Sequence, residues 1–335
     1  MRELSIWKQL TCLPFLSLYE KVMYSAMQLD VFSSLEEKIT AKELAGKKGW
    51  NEANTEYLLS ALTALGFLKK EGETYENLPE TGRYLVKGSP EYLGDFLVFY
   101  GMGEGSVPMD VVKAVTEGPQ PMEQSAMEGQ LDFEQYGKAL RGAQTGYRQK
   151  ELLEIVRSLP ENESILRILD AGCATGLLGL TVIGDNPVRT GVLFDRLPAG
   201  LIEESVELCG LRGRAQAVSG DFLTDDIGSG YDLILASGIM LFAKGRMEEL
   251  LKKFYDALNP GGVVLVIGEG IAKDHTGPWD MVLGYLPYYF QGMDMGVIRG
   301  EVEEAARRAG FSGYERRSEL LCSGNQDIEI LRRGL

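Results

Sequence analysis

The stretch RILDAGCATGLLGLTVIGDNPVRTGVLFD, residues 167–195, holds the residues with the clearest chemistry in the chain. An apolar run ends in Asp170, a turn of small residues from Ala171 to Gly176 follows, and a second apolar run ends in Asp195. Gly172 and Gly176 permit backbone conformations that side chains forbid, and they let a ligand lie against the main chain. In doubly wound sheets, an acid about 20 residues after such a turn, at the end of the next strand, accepts hydrogen bonds from a ribose diol. The pair indicates a nucleoside. The plainer reading is that the two glycines only close a tight strand-to-helix connection.

The ligand is further limited by what the turn lacks. A dinucleotide fingerprint, GxGxxG, needs a second glycine where this chain has Ala174. Asp170, directly before the turn, would repel a pyrophosphate, but could order the loop or face an amino group. A nucleoside without phosphates and with a cationic end fits these constraints, and S-adenosylmethionine has that form. Cys173, inside the turn, reads as small-residue packing against the ligand rather than as a nucleophile.

These residues need a parallel sheet to hold them. From about residue 165 the segments ILRILDAG, RTGVLFD, RAQAVSGD, YDLILASG and GGVVLVIGEG read as strands, with helical stretches between several of them. MEELLKKFYDALNPGG is a helix ended by Pro and Gly. The alternation predicts an α/β, doubly wound, Rossmann-like domain covered on both faces. Before it, residues 14–100 are mainly helical. LSLYEKVMYSAMQLDVFSSL has helical apolar spacing, Thr40 and Glu43 form a capping box, and a helix closed near Gly66 precedes a short strand pair around EGET. Three helices and a small hairpin make a winged helix. The expected division is a winged-helix dimerisation domain at 1–100, a helical linker and pocket-covering segment at 101–160, and the nucleoside-binding domain at 161–335. Within the middle segment, YGKALRGAQTGYRQKELLEIVRSL is expected as a helix.

Charge and composition narrow the partners. The formal net charge of −15 is the wrong sign for a protein that neutralises phosphates. The candidate recognition helix, NEANTEYLLSALTAL, has no Lys or Arg, so nucleic acid is not expected and a homodimer through the N-terminal domain is. The four cysteines are scattered and there is a single histidine, which argues against a metal site and for a reducing cytoplasm. No membrane span or signal peptide is read at the N-terminus.

At this level of detail the chain resembles the class I S-adenosylmethionine-dependent methyltransferases. More narrowly, it resembles the small-molecule O-methyltransferase family with an N-terminal winged-helix dimerisation domain, of the acetylserotonin and plant phenolic type. ILDAGCATG is similar to that family's LDVGGGxG loop, FDRLP to its xDLP, SGDFLTDDIGSGYDLILAS to its GDFF…DAYLLS, and ALNPGGVVLVIGEG to its ALKPGGRLLLLE. The resemblance implies that Gly172 and its neighbours pass the methionine moiety and that Asp195 binds the ribose hydroxyls with Arg196 beside it. It further implies that Asp221 and Phe222 flank the adenine and that Ser237 lies near the sulfonium. The segment matching the helix that lines the family's acceptor pocket, residues 278–298, carries Trp279, Tyr285 and Tyr289 among other aromatic and Met residues. With Met240 it suits a flat, apolar acceptor.

The chain departs from that family at the base. Where SHVLHDW is usual, this chain has SGIMLFA: Gly238 replaces the first histidine and Leu241 falls at the catalytic one. Leucine takes no proton. Either the acceptor needs no protein base, being a thiolate, an amine, an acidic enol or a stabilised carbanion, or another residue serves: Glu269, which ends its strand where the family has Glu, or His275 or Asp274 in the loop beyond. The expected activity is methyl transfer from S-adenosylmethionine to a small aromatic or apolar molecule. The alternative is a protein of the same fold that binds the cofactor without transferring methyl, as a decarboxylase, hydroxylase or ligand sensor.

Overall fold

A computed structural model describes residues 5–102, 109–121 and 133–334. The chain divides into two compact units, residues 1–106 and 107–335.

In the first unit, α1 (Ile6–Gln28), α2 (Ala41–Lys48) and α3 (Glu52–Ala64) precede a hairpin of β2 (Leu68–Glu71) and β3 (Thr74–Asn77). A short β1 (Ile39–Thr40) pairs antiparallel with β3 to complete a three-stranded wing. The capping box forms as the sequence predicts. Thr40 Oγ1 accepts from the Glu43 N–H at 3.2 Å, and Glu43 Oε2 accepts from the Thr40 N–H at 2.9 Å. Met27, Phe32, Leu44, Leu59, Leu62 and Tyr75 fill one core, which α4 (Pro79–Leu85) extends; α5 (Gly94–Met102) follows. Helix α1 begins well before the stretch read as helical and runs across Pro14. Its added turns expose Ile6, Trp7, Leu10, Leu13 and Phe15.

The second unit is built on a seven-stranded sheet in the order β6-β5-β4-β7-β8-β10-β9. The five strands read from sequence are β4 (Arg167–Ala171), β5 (Thr190–Asp195), β6 (Ala215–Ser219), β7 (Tyr231–Ser237) and β8 (Leu258–Gly268), and they pair parallel. The edge hairpin of β9 (Gly313–Leu321) and β10 (Gly324–Arg332) was not among them, and β10 joins β8 antiparallel. Helices α6 (Val111–Glu117), α7 (Phe133–Gln144), α8 (Tyr147–Arg157), α9 (Leu177–Asp185), α10 (Ala199–Leu208), α11 (Met247–Ala257), α12 (Trp279–Phe290) and α13 (Glu301–Ala309) complete the described elements. Two buried clusters, one around Leu169, Phe194, Ile234 and Phe254 and one around Ile168, Leu193, Leu233 and Leu265, occupy the sheet's two faces. Successive residues of one strand point to opposite faces, which is why neighbours such as Ile168 and Leu169 fall in different clusters.

Two local readings differ from the structure. The single helix expected at 136–159 is broken between α7 and α8, because Gly146 takes φ 65° and ψ −118°, a conformation that favours glycine. Gln149 Oε1 accepts the freed Gly146 N–H at 3.2 Å. And α11 ends at Ala257, before the Pro260–Gly261 pair read as its stop, so that both residues lie in the irregular start of β8.

One buried charge holds the sheet to the helix before it. Arg189 is almost fully buried, and its guanidinium donates to the carbonyls of Asn162 at 2.7 Å, Ile165 at 3.1 Å and Val182 at 3.3 Å. Arg189→Met keeps the stem but removes the guanidinium donors from all three carbonyls. Urea unfolding should show a loss of roughly 3 kcal/mol, with the denaturant slope unchanged.

Candidate active site

The strand order reverses between β4 and β7. In open α/β sheets a ligand crevice opens outside the carboxyl ends of the strands at such a point. Gly172 follows β4, Asp195 ends β5, Ser237 ends β7 and Glu269 follows β8. The reversal therefore gathers residues that stand far apart in the chain.

The glycine turn is folded over the end of β5. The N–H groups of Gly172 and Cys173 both donate to the Phe194 carbonyl, at 2.8 and 3.1 Å. Gly172 has φ 68° and Gly176 φ 83°. A side chain at Gly172 would collide with Ile239 and stand 3.3 Å from Phe222, and one at Gly176 would lie 2.8 Å from Leu193. Ala174 also lies in the left-handed region, at φ 52°, and Asp195 holds it there. Asp195 Oδ2 accepts from the Ala174 N–H at 2.7 Å, and Oδ1 accepts from the Leu197 N–H at 2.9 Å. Each carboxylate oxygen keeps a lone pair for a ligand hydroxyl.

Of the two roles open to Asp170, the structure shows the ordering one. The side chain is buried, and Oδ2 accepts from the Gly179 N–H at 2.9 Å in the first turn of α9. Gly179 leaves the room for this, since a Cβ there would lie 2.7 Å from that oxygen. Burial, with Asp195 adding to it, pushes the Asp170 carboxyl up to about 7. Burial raises Asp195 as well. Two acids crowded under one loop disfavour further negative charge and favour a cation. A nucleoside with a cationic end suits this site, and a pyrophosphate does not.

Two residues that sequence reasoning passed over reach this region, one at the glycine turn and one at the end of β7. Gln144, buried at the end of α7, donates from Nε2 to the Cys173 carbonyl and accepts from Thr175 Oγ1, both at 2.9 Å. Arg148, on α8, brings Nη2 to 3.5 Å from Ser237 Oγ. Both sit in a stretch whose periodicity shows only a helix, so no local signal marked them. Cys173 is buried and burial pushes its thiol up, which removes it as a nucleophile.

The remaining predicted residues fall as follows. Phe222 is buried beside Ile239, while Asp221, half-buried, accepts from the Leu223 N–H at 2.8 Å. Arg196 is exposed beside Asp195. Met240 lies in a 3₁₀ turn, Met240–Ala243, and is packed into the core, with Leu241 half-buried against the same cluster. Glu269 is half-buried, and its Oε2 has no hydrogen-bond partner among the described residues. Tyr285, on α12, is raised above the ordinary phenol range by burial and by the Glu269 carboxylate it faces. Trp279 is exposed. His275 is exposed too, at φ 56°, and its ring stands edge-on to Tyr289 at 6.1 Å.

A Rossmann-like sheet with this loop, preceded by a helical unit, defines a methyltransferase of the S-adenosylmethionine-dependent class. Family models agree along the chain: an O-methyltransferase dimerisation domain matches residues 12–87 and an O-methyltransferase domain matches residues 135–312. The chain belongs to the O-methyltransferase family. It is 28% identical over 252 residues to 3-hydroxy-5-methyl-1-naphthoate 3-O-methyltransferase of Streptomyces sahachiroi, covering 72% of this chain and 71% of that one. It is also 28% identical over 292 residues to the N,N-dimethyltransferase OxyT of Streptomyces rimosus, covering 84% and 81%. The fold is similar to that of human N-acetylserotonin methyltransferase in complex with S-adenosylmethionine, at a TM-score of 0.80 and 21% identity over 98% of each chain.

Two outcomes follow from this geometry. Asp170 keeps in the folded state, between about pH 4 and about pH 7, a proton that the unfolded chain has lost. Its contribution to stability therefore falls as pH rises through that window. Asp170→Asn retains an oxygen for the Gly179 N–H and should flatten the decline, measured by urea unfolding at several pH values. His275→Ala should keep most methyl transfer, because the ring is exposed. A loss of about a hundredfold, the scale of a positioned base, with cofactor affinity intact would reverse that assignment.

Proposed function

We propose that the protein transfers a methyl group from S-adenosylmethionine to a small aromatic molecule held between the ends of β7 and β8 and helix α12. The observation that carries this reading is the pair of acids beneath the glycine turn, which suits a nucleoside ending in a cation. Bound there, S-adenosylmethionine supplies an electrophilic methyl on a sulfonium. Asp195 would take the ribose hydroxyls, Asp221 and Phe222 the adenine, and the Gly172 turn the methionine moiety. Ser237, with the Arg148 guanidinium beside it, would border the reacting end. Tyr285 and Tyr289 offer flat apolar surface to the acceptor. The acceleration would come largely from holding acceptor and methyl group at attack distance with water excluded.

The naphthoate named for one relative supports an aromatic acceptor. The dimethylated nitrogen implied by the other's name extends the acceptor atoms of such chains beyond oxygen. A second reading has an observation of its own: Leu241 stands where the usual histidine would be, as in a protein that binds the cofactor but transfers nothing. Labelled S-adenosylmethionine with a panel of phenols, thiols and amines separates the two.

We also infer a cytoplasmic homodimer formed through residues 1–100. The exposed Ile6, Leu10 and Leu13, which share one face of α1, support it, since monomers seldom expose contiguous apolar surface.

Asp195→Ala should weaken S-adenosylmethionine binding by at least about tenfold, or ~1.4 kcal/mol, in calorimetry. A thermal melt confirms that the variant is folded. Unchanged affinity would remove the site.

A further inference from the structure

We propose that Glu269, braced by Tyr285, takes the proton of a hydroxyl-bearing aromatic acceptor, in place of the histidine this chain lacks. The proposal rests on the methyl-transfer reading and names the acceptor class for that site.

Position comes first. Ser237 pairs with Ile267, and the Gly238 N–H donates to the Ile267 carbonyl at 2.7 Å. Strands β7 and β8 thus end side by side, and Glu269 emerges next to the Ser237–Gly238 corner. Nothing crowds Gly238 on its side-chain side, so the corner is open.

Availability comes second. Of the acids in the crevice, Asp170 spends Oδ2 on the Gly179 N–H, and Asp195 binds the Ala174 and Leu197 N–H groups and is assigned to the ribose hydroxyls. Glu269 Oε2 is shut away from water and bonded to nothing among the described residues. A buried carboxylate oxygen is costly to leave in that state, so a donor brought by a ligand is its natural partner. The Tyr285 hydroxyl faces the same carboxylate from α12, and Arg148 adds positive charge from α8. His275 is exposed and turned to Tyr289 instead.

The step balances. The acceptor O–H bond breaks and its proton passes to Glu269 Oε2, while an oxygen lone pair bonds the methyl carbon. The electrons of the carbon–sulfur bond stay on sulfur and cancel its positive charge. Glu269 then releases the proton to water.

The test compares wild type with Glu269→Gln at about pH 8 on phenols graded by acidity, from 1-naphthol, mostly protonated at that pH, to 4-nitrophenol, largely ionised. The variant should lose about a hundredfold or more in kcat/KM on 1-naphthol, yet transfer to 4-nitrophenol nearly as wild type does. Calorimetric S-adenosylmethionine affinity should be unchanged. An equal loss along the series, no loss at all, or a tenfold weaker cofactor would overturn the proposal, the last by placing the carboxylate on the donor. Wild-type transfer to thiols or amines alone would sink it and spare the methyl-transfer reading. Cofactor binding with transfer to nothing would sink both. Should Glu269→Gln fail to fold, Tyr285→Phe is measured in the same way. It should show a smaller loss confined to the weakly acidic phenols, and a loss independent of acidity would overturn the proposal.

Discussion

The Asp195 carboxylate clasps the glycine turn through the Ala174 N–H while it caps the start of the next segment through the Leu197 N–H. Ala174 is thereby kept in a left-handed conformation that a residue with a side chain rarely adopts. With Asp195 bound this way, the turn stays closed over the end of β5. Asp170 performs the matching task on the other side, tying the first turn of α9 to the end of β4. Two buried acids therefore shape the loop and set its charge preference together. A cation placed beside them would offset the cost of ionising Asp170, which is why the pair favours a cationic ligand.

Helix α12 is positioned by a different device. The excursion that carries it leaves β8 at Gly268 and is pinned at its base, where Ile271 bridges to Ile298 and Arg299 forms a two-pronged pair with buried Asp327, at 2.9 and 3.0 Å. Its first turn is held by Asp280, which accepts from the Asn325 N–H at 2.7 Å and from Asn325 Nδ2 at 2.9 Å. Both anchors are on β10. The antiparallel edge hairpin thus sets where Tyr285 and Tyr289 stand, which gives that hairpin a bearing on the site beyond closing the sheet.

Much of the fold was legible because its signals are local. The capping box at Thr40–Glu43, the five parallel strands and the glycine turn are each written within a few residues. The β9–β10 hairpin escaped notice because YERRSELL alternates weakly and half its side chains meet solvent. The break at Gly146 was hidden by helical periodicity on both sides of it. In the site, Gln144 and Arg148 were missed since a polar residue in an amphipathic helix carries no mark of burial. His275 and Trp279 were singled out by residue type, and residue type does not report exposure.

The sequence by itself determined that a nucleoside crevice with a preference for positive charge would form, because the turn and the two acids belong to one strand–helix–strand unit whose geometry follows from spacing. It also determined that the usual histidine is absent, since that is a matter of identity alone. Only the tertiary structure decided which side chains meet at the carboxyl ends of β7 and β8. Arg148, Ser237, Glu269 and Tyr285 come from four separate elements, and their meeting depends on the order of strands in the sheet and on the anchors beneath α12. An unpartnered carboxylate oxygen exists only once every neighbour has taken its place, and no spacing along the chain encodes it.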